Sequence, residues 1–292
     1  MAIDILSPYS LPCTNSSFSK GSNHKVARSM PLLVVAALVP WPLLFSEHHW
    51  WAFIPATAAI MVALRLLDGP QWTSYAGLKM PLTHVLLAVA AFGAVATGTK
   101  MLLPHIYEST GLRADTPRVE QQLGLLFQSL NEEILFRALL IGFLLQYLRS
   151  SVLISVGLAC VFSAAHFLLY RFPNPLHLPL SWTALLTLFL AGAAMNNLYL
   201  AFRHIGFSWA FHAGWNIVWL PAPVYDVLTN DRLYEPQVFD RVLGSSAMAI
   251  VAGGTALLSF GLLASQSRRP QGAVRAYRGD FLRPKLPSDE QK

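Results

Sequence analysis

LGLLFQSLNEEILFRALLIGFLLQYL, residues 123–148, is an apolar run with three ionisable side chains near its centre: Glu132, Glu133 and Arg137. At about 1.5 Å of rise per residue, such a helix is long enough to cross the roughly 30 Å hydrocarbon core of a bilayer. Glu132 then lies about 14 Å from the start of the run, near mid-depth. A single charge there costs on the order of 3 kcal/mol on insertion scales, so each must be paired or put to use. Glu133 and Arg137 stand at i and i+4 with the acid first, so they share a face and can neutralise one another. Glu132 is turned roughly 100° away from Glu133 and has only Gln128, one turn back, as a polar neighbour on its own helix. The stretch therefore predicts a membrane-embedded helix with one structural ion pair and one carboxylate left for another purpose.

The rest of the chain agrees with a membrane setting. Of its 292 residues, 54% are hydrophobic and only 12% charged, and the mean hydropathy is +0.46. With several apolar runs of about twenty residues, that composition argues against a soluble domain and for a polytopic all-α bundle. Two cysteines, Cys13 and Cys160, offer neither a disulfide framework nor zinc-ligand spacing. The net charge of +6 comes mostly from basic residues in tails and short loops. That distribution reads as membrane topology rather than a nucleic-acid surface.

Outward from the central run, about eight transmembrane helices are expected. They cover about Met30 to Phe45, with Pro40 and Pro42, then Trp50 to Leu67, Leu82 to Leu103, Thr116 to Leu148, Val152 to Leu169, Trp182 to Arg203, Phe207 to Trp219 and Ser245 to Leu263. Asp68-Gly69-Pro70 stops the second, Thr116-Pro117 resembles a capped start of the fourth, and Gly206 marks a tight turn. Pro104 to Asp115 and Pro221 to Leu243 read as loops. Residues 1–28 form a polar tail, 29–264 the helical domain, and 265–292 a basic, proline-bearing tail. A cleaved signal peptide is the competing reading of the first 45 residues. Lys20, Lys25, Arg28, Arg65, Lys79, Arg149, Arg203 and the arginines of the C-terminal tail fall on one side, which places both termini in the cytoplasm of a cell membrane. His48 and His49 read as solvated loop residues in preference to a metal site, and His84 as interfacial. Asn196 and Asn197 read as interhelical glue.

Three apolar helices each bring polar groups inward. Phe162 and His166 share one face of the fifth, and His212 and Asn216 share one face of the seventh. Converging on Glu132, they would make a buried site of one carboxylate, two imidazoles and an amide. Such a set suits hydrolysis. A poorly solvated carboxylate can act as general base toward water, an imidazole can orient that water or protonate a leaving amine, and an amide donor can stabilise an oxyanion. Taken singly, Glu133 with Arg137 is a structural clamp, His166 a core histidine and Asn216 interhelical glue.

Glu132-Glu133-x-x-x-Arg137, Phe162-x-x-x-His166 and His212-x-x-x-Asn216, in this order on successive apolar helices, resemble the motif set of the CPBP family, which includes CAAX prenyl endopeptidases and bacteriocin-processing or Abi proteins. Ala138 stands where many members have glycine. The resemblance implies an intramembrane endopeptidase in which Glu132 activates water, His166 assists, and His212 and Asn216 serve the oxyanion, with Glu133, Arg137 and Phe162 as support. It implies a membrane-anchored protein or peptide substrate within the lipid bilayer, such as a prenylated CAAX-like tail or a leader peptide. Two further readings stand beside it. One is a non-catalytic immunity or scaffold protein of the same fold; the other is a zinc enzyme using Glu132, His166 and His212. A metal-free mechanism is preferred because HExxH is absent. A transporter with an acidic relay is disfavoured, since no second half repeats the first.

Overall fold

The computed structural model describes residues 49–68, 77–116, 119–148, 150–171, 180–220, 223–233 and 235–267. Helices α1 (His49–Asp68) and α2 (Leu82–Thr110) are followed by a short strand β1 (Leu112–Ala114). The central helix comes next, as α3 (Val119–Glu133), a π-helical segment (Ile134–Ile141) and α4 (Gly142–Tyr147). Then come α5 (Ser151–Arg171), α6 (Trp182–Phe202), α7 (Gly206–Trp219), β2 (Val224–Asp226), α8 (Glu235–Leu243) and α9 (Ser246–Ser267). The expected tail 1–28 and the helix Met30 to Phe45 lie outside the described residues. The C-terminal tail is outside them from residue 268 on, and its first residues, Ser265 to Ser267, extend α9.

Among the described residues, four helices are long and apolar enough to cross a membrane: Leu82–Thr110, Ser151–Leu168, Trp182–Phe202 and Ser246–Gln266, with a shorter apolar helix at Phe53–Leu66. Leu82, Leu86, Val89 and Met101 of α2, and Ile250, Leu257 and Leu258 of α9, point outward. Long helices with apolar exteriors are what lipid requires, and the chain is a multi-pass integral membrane protein.

The Glu132 helix is not one of the four. Its polar residues lower its hydropathy, and residues 131–139 are buried throughout. The stretch expected to carry a buried site is enclosed by other helices. α1 packs on α3, α3 and α2 pack on α7, and α6 lies centrally against α5, α7, α8 and α9. The Trp209 indole Nε1 donates to the Leu126 carbonyl at 3.1 Å and the Gln122 amide to the Ile217 carbonyl at 3.3 Å, tying α7 to α3. Asn196 and Asn197 act as the expected glue. The Asn196 amide donates to the Ser155 carbonyl at 2.9 Å, the Ser155 hydroxyl to Asn197 Oδ1 at 2.7 Å, and the Asn197 amide to Ser259 Oγ at 3.2 Å, which links α5, α6 and α9.

Two expected loops are partly structured. α2 continues through Pro104 to Thr110 and ends on Gly111, whose left-handed φ of 66° lets its N–H reach back to the Tyr107 and Glu108 carbonyls. β1 then pairs antiparallel with β2. Within the second loop, Val238, Phe239, Val242 and Leu243 are buried on one face of α8. That face packs on α6, so the acids and arginines around it masked a short amphipathic helix. Its neighbour Asp226 is bound at 2.6 Å by Arg241, and that bond, with the Leu228 and Thr229 N–H groups, holds its carboxyl below the usual range.

His84, read from the sequence as interfacial, has a partner. It shares a hydrogen bond of 2.9 Å with His204. Because His204 Nδ1 accepts the Gly206 N–H at 3.2 Å, its Nε2 carries the proton and donates to His84 Nδ1. His204 lies in the turn between α6 and α7, and burial, with His84 beside it, pushes its pKa down to about 4. His48 lies outside the described residues, and His49 opens α1.

Candidate active site

Glu132 and Glu133 close α3 and Arg137 lies in the π-helical segment, where hydrogen bonds run from i to i+5 and the backbone is wider than an α-helix. Such segments recur at functional sites. This one begins at the residue after the paired glutamates. The three side chains are at most 2% exposed.

Arg137 Nη1 lies 3.1 Å from Glu133 Oε1. Its guanidinium also lies 4.9 Å from the centre of the Phe162 ring and 5.8 Å from that of Phe136. The aromatic faces supply the partial negative charge that water would otherwise provide. Phe162 is in turn seated by a bare helix. A Cβ at Gly192 would stand 3.2 Å from its Cδ1 and 3.4 Å from the Ala159 backbone, so α6 can approach α5 closely only with glycine there.

His212 on α7 lies between the two carboxylates. Its Nδ1 is 2.9 Å from Glu133 Oε1, and its Nε2 is 3.7 Å from Glu132 Oε2. A carboxylate paired with arginine only accepts, so Nδ1 is the donating nitrogen. Glu133 thus serves Arg137 and His212 at once, and it sets the orientation of the imidazole. The 3.7 Å to Glu132 exceeds a direct hydrogen bond and is a span that one water can bridge. Glu132 Oε1 accepts the Gln128 amide at 3.2 Å.

A cavity of about 60 Å³ opens at this cluster, room for a few waters. Glu132, His212 and Asn216 line it together with Phe162, His166 and Gln128. All four residues expected to converge therefore meet in one cavity. His166 Nδ1 donates to the Phe162 carbonyl one turn back at 2.9 Å, and its ring stacks on Phe239 of α8 at 5.8 Å and 11°. Met195, Trp215, Trp219 and Phe239 make the remainder largely apolar. Thr187 and Phe239 were not anticipated in the sequence. Thr187 carries no helical pattern that separates it from any other core threonine.

The alternative zinc set of Glu132, His166 and His212 does not fit. Among the described residues no three His, Cys, Asp or Glu side chains are disposed to hold a metal ion.

No curated protein and no solved structure matches this chain. Residues 120–218 match the family model for type II CAAX prenyl endopeptidase, Rce1-like. That segment runs from the start of α3 to the end of α7 and contains Glu132, Glu133, Arg137, Phe162, His166, His212 and Asn216. Residues 120–218 thus form a domain of the Rce1-like type II CAAX prenyl endopeptidase family, a family of intramembrane proteases.

Proposed function

We propose that the chain hydrolyses a peptide bond near the C-terminus of a membrane-anchored, prenylated CAAX-like protein, with Glu132 as the base. The observation that carries this reading is the 3.7 Å span between Glu132 Oε2 and His212 Nε2 on a cavity otherwise lined by aromatic and aliphatic side chains. A water held there gives one proton to Glu132 Oε2 while its oxygen attacks the scissile carbonyl carbon. Asn216, and His212 through Nε2 with both ring nitrogens carrying protons, donate to the resulting oxyanion, and His166 orients the water. Collapse breaks the C–N bond as the proton on Glu132 passes to the leaving amine nitrogen. Glu133 and Arg137 hold His212 in place without entering the reaction. The steps need no metal.

The same reading makes 29–264 one helical protease domain of about eight transmembrane helices between two cytoplasmic tails, 1–28 and 265–292, in the cell membrane. The excess of lysine and arginine on the side of the termini supports that orientation.

The test uses purified protein in lipid vesicles and a farnesylated CAAX-terminated peptide carrying a fluorophore and quencher. Wild type cleaves it, and still does so in a strong zinc chelator. Glu132→Gln keeps the fold but loses cleavage by about 10²–10⁴-fold, as expected for removal of a general base. Undiminished cleavage by Glu132→Gln sinks the assignment. If wild type cleaves nothing and Glu132→Gln is silent in cells, the scaffold reading replaces it.

A further inference from the structure

Resting on that reading, we infer that Gln128 is a positioning residue for the reaction, holding Oε1 of Glu132 so that Oε2 alone faces His212 and the reacting water. The two side chains stand one turn apart on α3. The amide of Gln128 lies 3.2 Å from Glu132 Oε1, and it is the NH₂ that faces the carboxylate, because an ionised carboxylate only accepts. Without that bond the carboxylate is free to rotate about its last torsion, a broad, roughly two-fold well, and to present either oxygen to the cavity. With it, the oxygens are distinct. One is bound by the amide, and the other stands 3.7 Å from His212 Nε2.

Packing does not account for a glutamine here. Gln128 is buried, and its carbonyl oxygen has no hydrogen-bond partner among the described residues. A buried acceptor without a partner lowers stability, so an apolar residue of the same length would serve the fold better. Residues that cost stability and touch the reacting group are the kind retained for chemistry. The paired glutamates, arginine, histidines and asparagine of the motif set do not include this position.

The experiment compares wild type, Gln128→Met and Glu132→Gln in vesicles, using the farnesylated CAAX-terminated peptide and isotope-edited infrared spectra of glutamate-labelled protein. Methionine matches glutamine in length and removes only the hydrogen bond. Expected for Gln128→Met are a kcat 10- to 100-fold lower, a KM within two-fold of wild type, and an unfolding temperature equal to or above it. The carboxylate stretch that disappears in Glu132→Gln should shift in Gln128→Met, a readout that does not depend on turnover. An unshifted Glu132 band overturns the inference, as does an undiminished kcat. So does a loss of kcat that merely tracks a lower unfolding temperature. Active Glu132→Gln enzyme would instead sink the assignment of Glu132 as base, whatever Gln128→Met does.

Discussion

Burying Glu133, Arg137 and His212 together is expensive, and the energy is recovered only while all three are present. Removing one partner of a buried ion pair typically costs about 3–5 kcal/mol, because the other charge is left in low dielectric, whereas apolar replacement of the whole pair is often neutral. Arg137→Met should therefore destabilise by about 3–5 kcal/mol in denaturant titrations. Glu133→Gln combined with Arg137→Met should recover most of that loss while leaving His212 misaligned and the enzyme slow. Independent, additive losses would mean that the pair is not a unit. His204 supplies a second test at this scale. Its pKa is about 4 against an ordinary 6.5, so between those values the unfolded chain binds the proton and the folded chain does not. Stability then falls as pH drops from about 6.5 toward 4 and levels off below, the sign required when the unfolded state holds more protons. Thermal unfolding should show that slope in wild type and a flatter one in His204→Phe. Glu132, Glu133 and Arg137 were legible from i and i+4 spacing because a helix face is a local property. The partnership of His84 with His204 was not, because it joins residues 120 positions apart.

At the scale of the element, α7 delivers His212 and Asn216, and its seating against α2 sets where they arrive. A Cβ at Gly214 would stand 2.9 Å from the Phe92 carbonyl and 3.2 Å from Val95 Cβ. Backbone oxygen cannot swing aside, so Gly214→Ala must push α7 off α2. A cost of about 1–3 kcal/mol is typical of overpacking, and His212 would move with the helix. Peptide cleavage and unfolding temperature should both drop. If either is unaffected, the approach is looser than described. Nothing in the sequence singles out Gly214, since nothing local indicates what a glycine touches. The π-helical segment is similar. Residues 134–141, ILFRALLI, read as an ordinary apolar helix, and nothing in their local pattern marks the widened backbone.

At the scale of the whole molecule, the charged centre of the Glu132 helix is enclosed, while α2, α5 and α9 turn apolar side chains outward. Cys160, exposed on α5, faces outward from the bundle, where the membrane reading puts lipid. In a Cys13→Ser background, a membrane-impermeant maleimide should leave Cys160 unmodified from either side of intact vesicles and label it after unfolding in SDS. Labelling in intact vesicles would place that face in water. The helical class, the membrane setting, the ion pair of Glu133 with Arg137 and the three paired motifs were determined by the sequence alone, because hydropathy and helical period act within a few residues. Tertiary structure decided that the Glu132 helix is enclosed rather than lipid-facing, and that α8 forms and closes over the cavity. It also decided that His212 bridges both glutamates and that Gln128 binds one oxygen of Glu132 and not the other. Those outcomes depend on which helices meet, and packing between residues far apart in the chain has no signature in local periodicity.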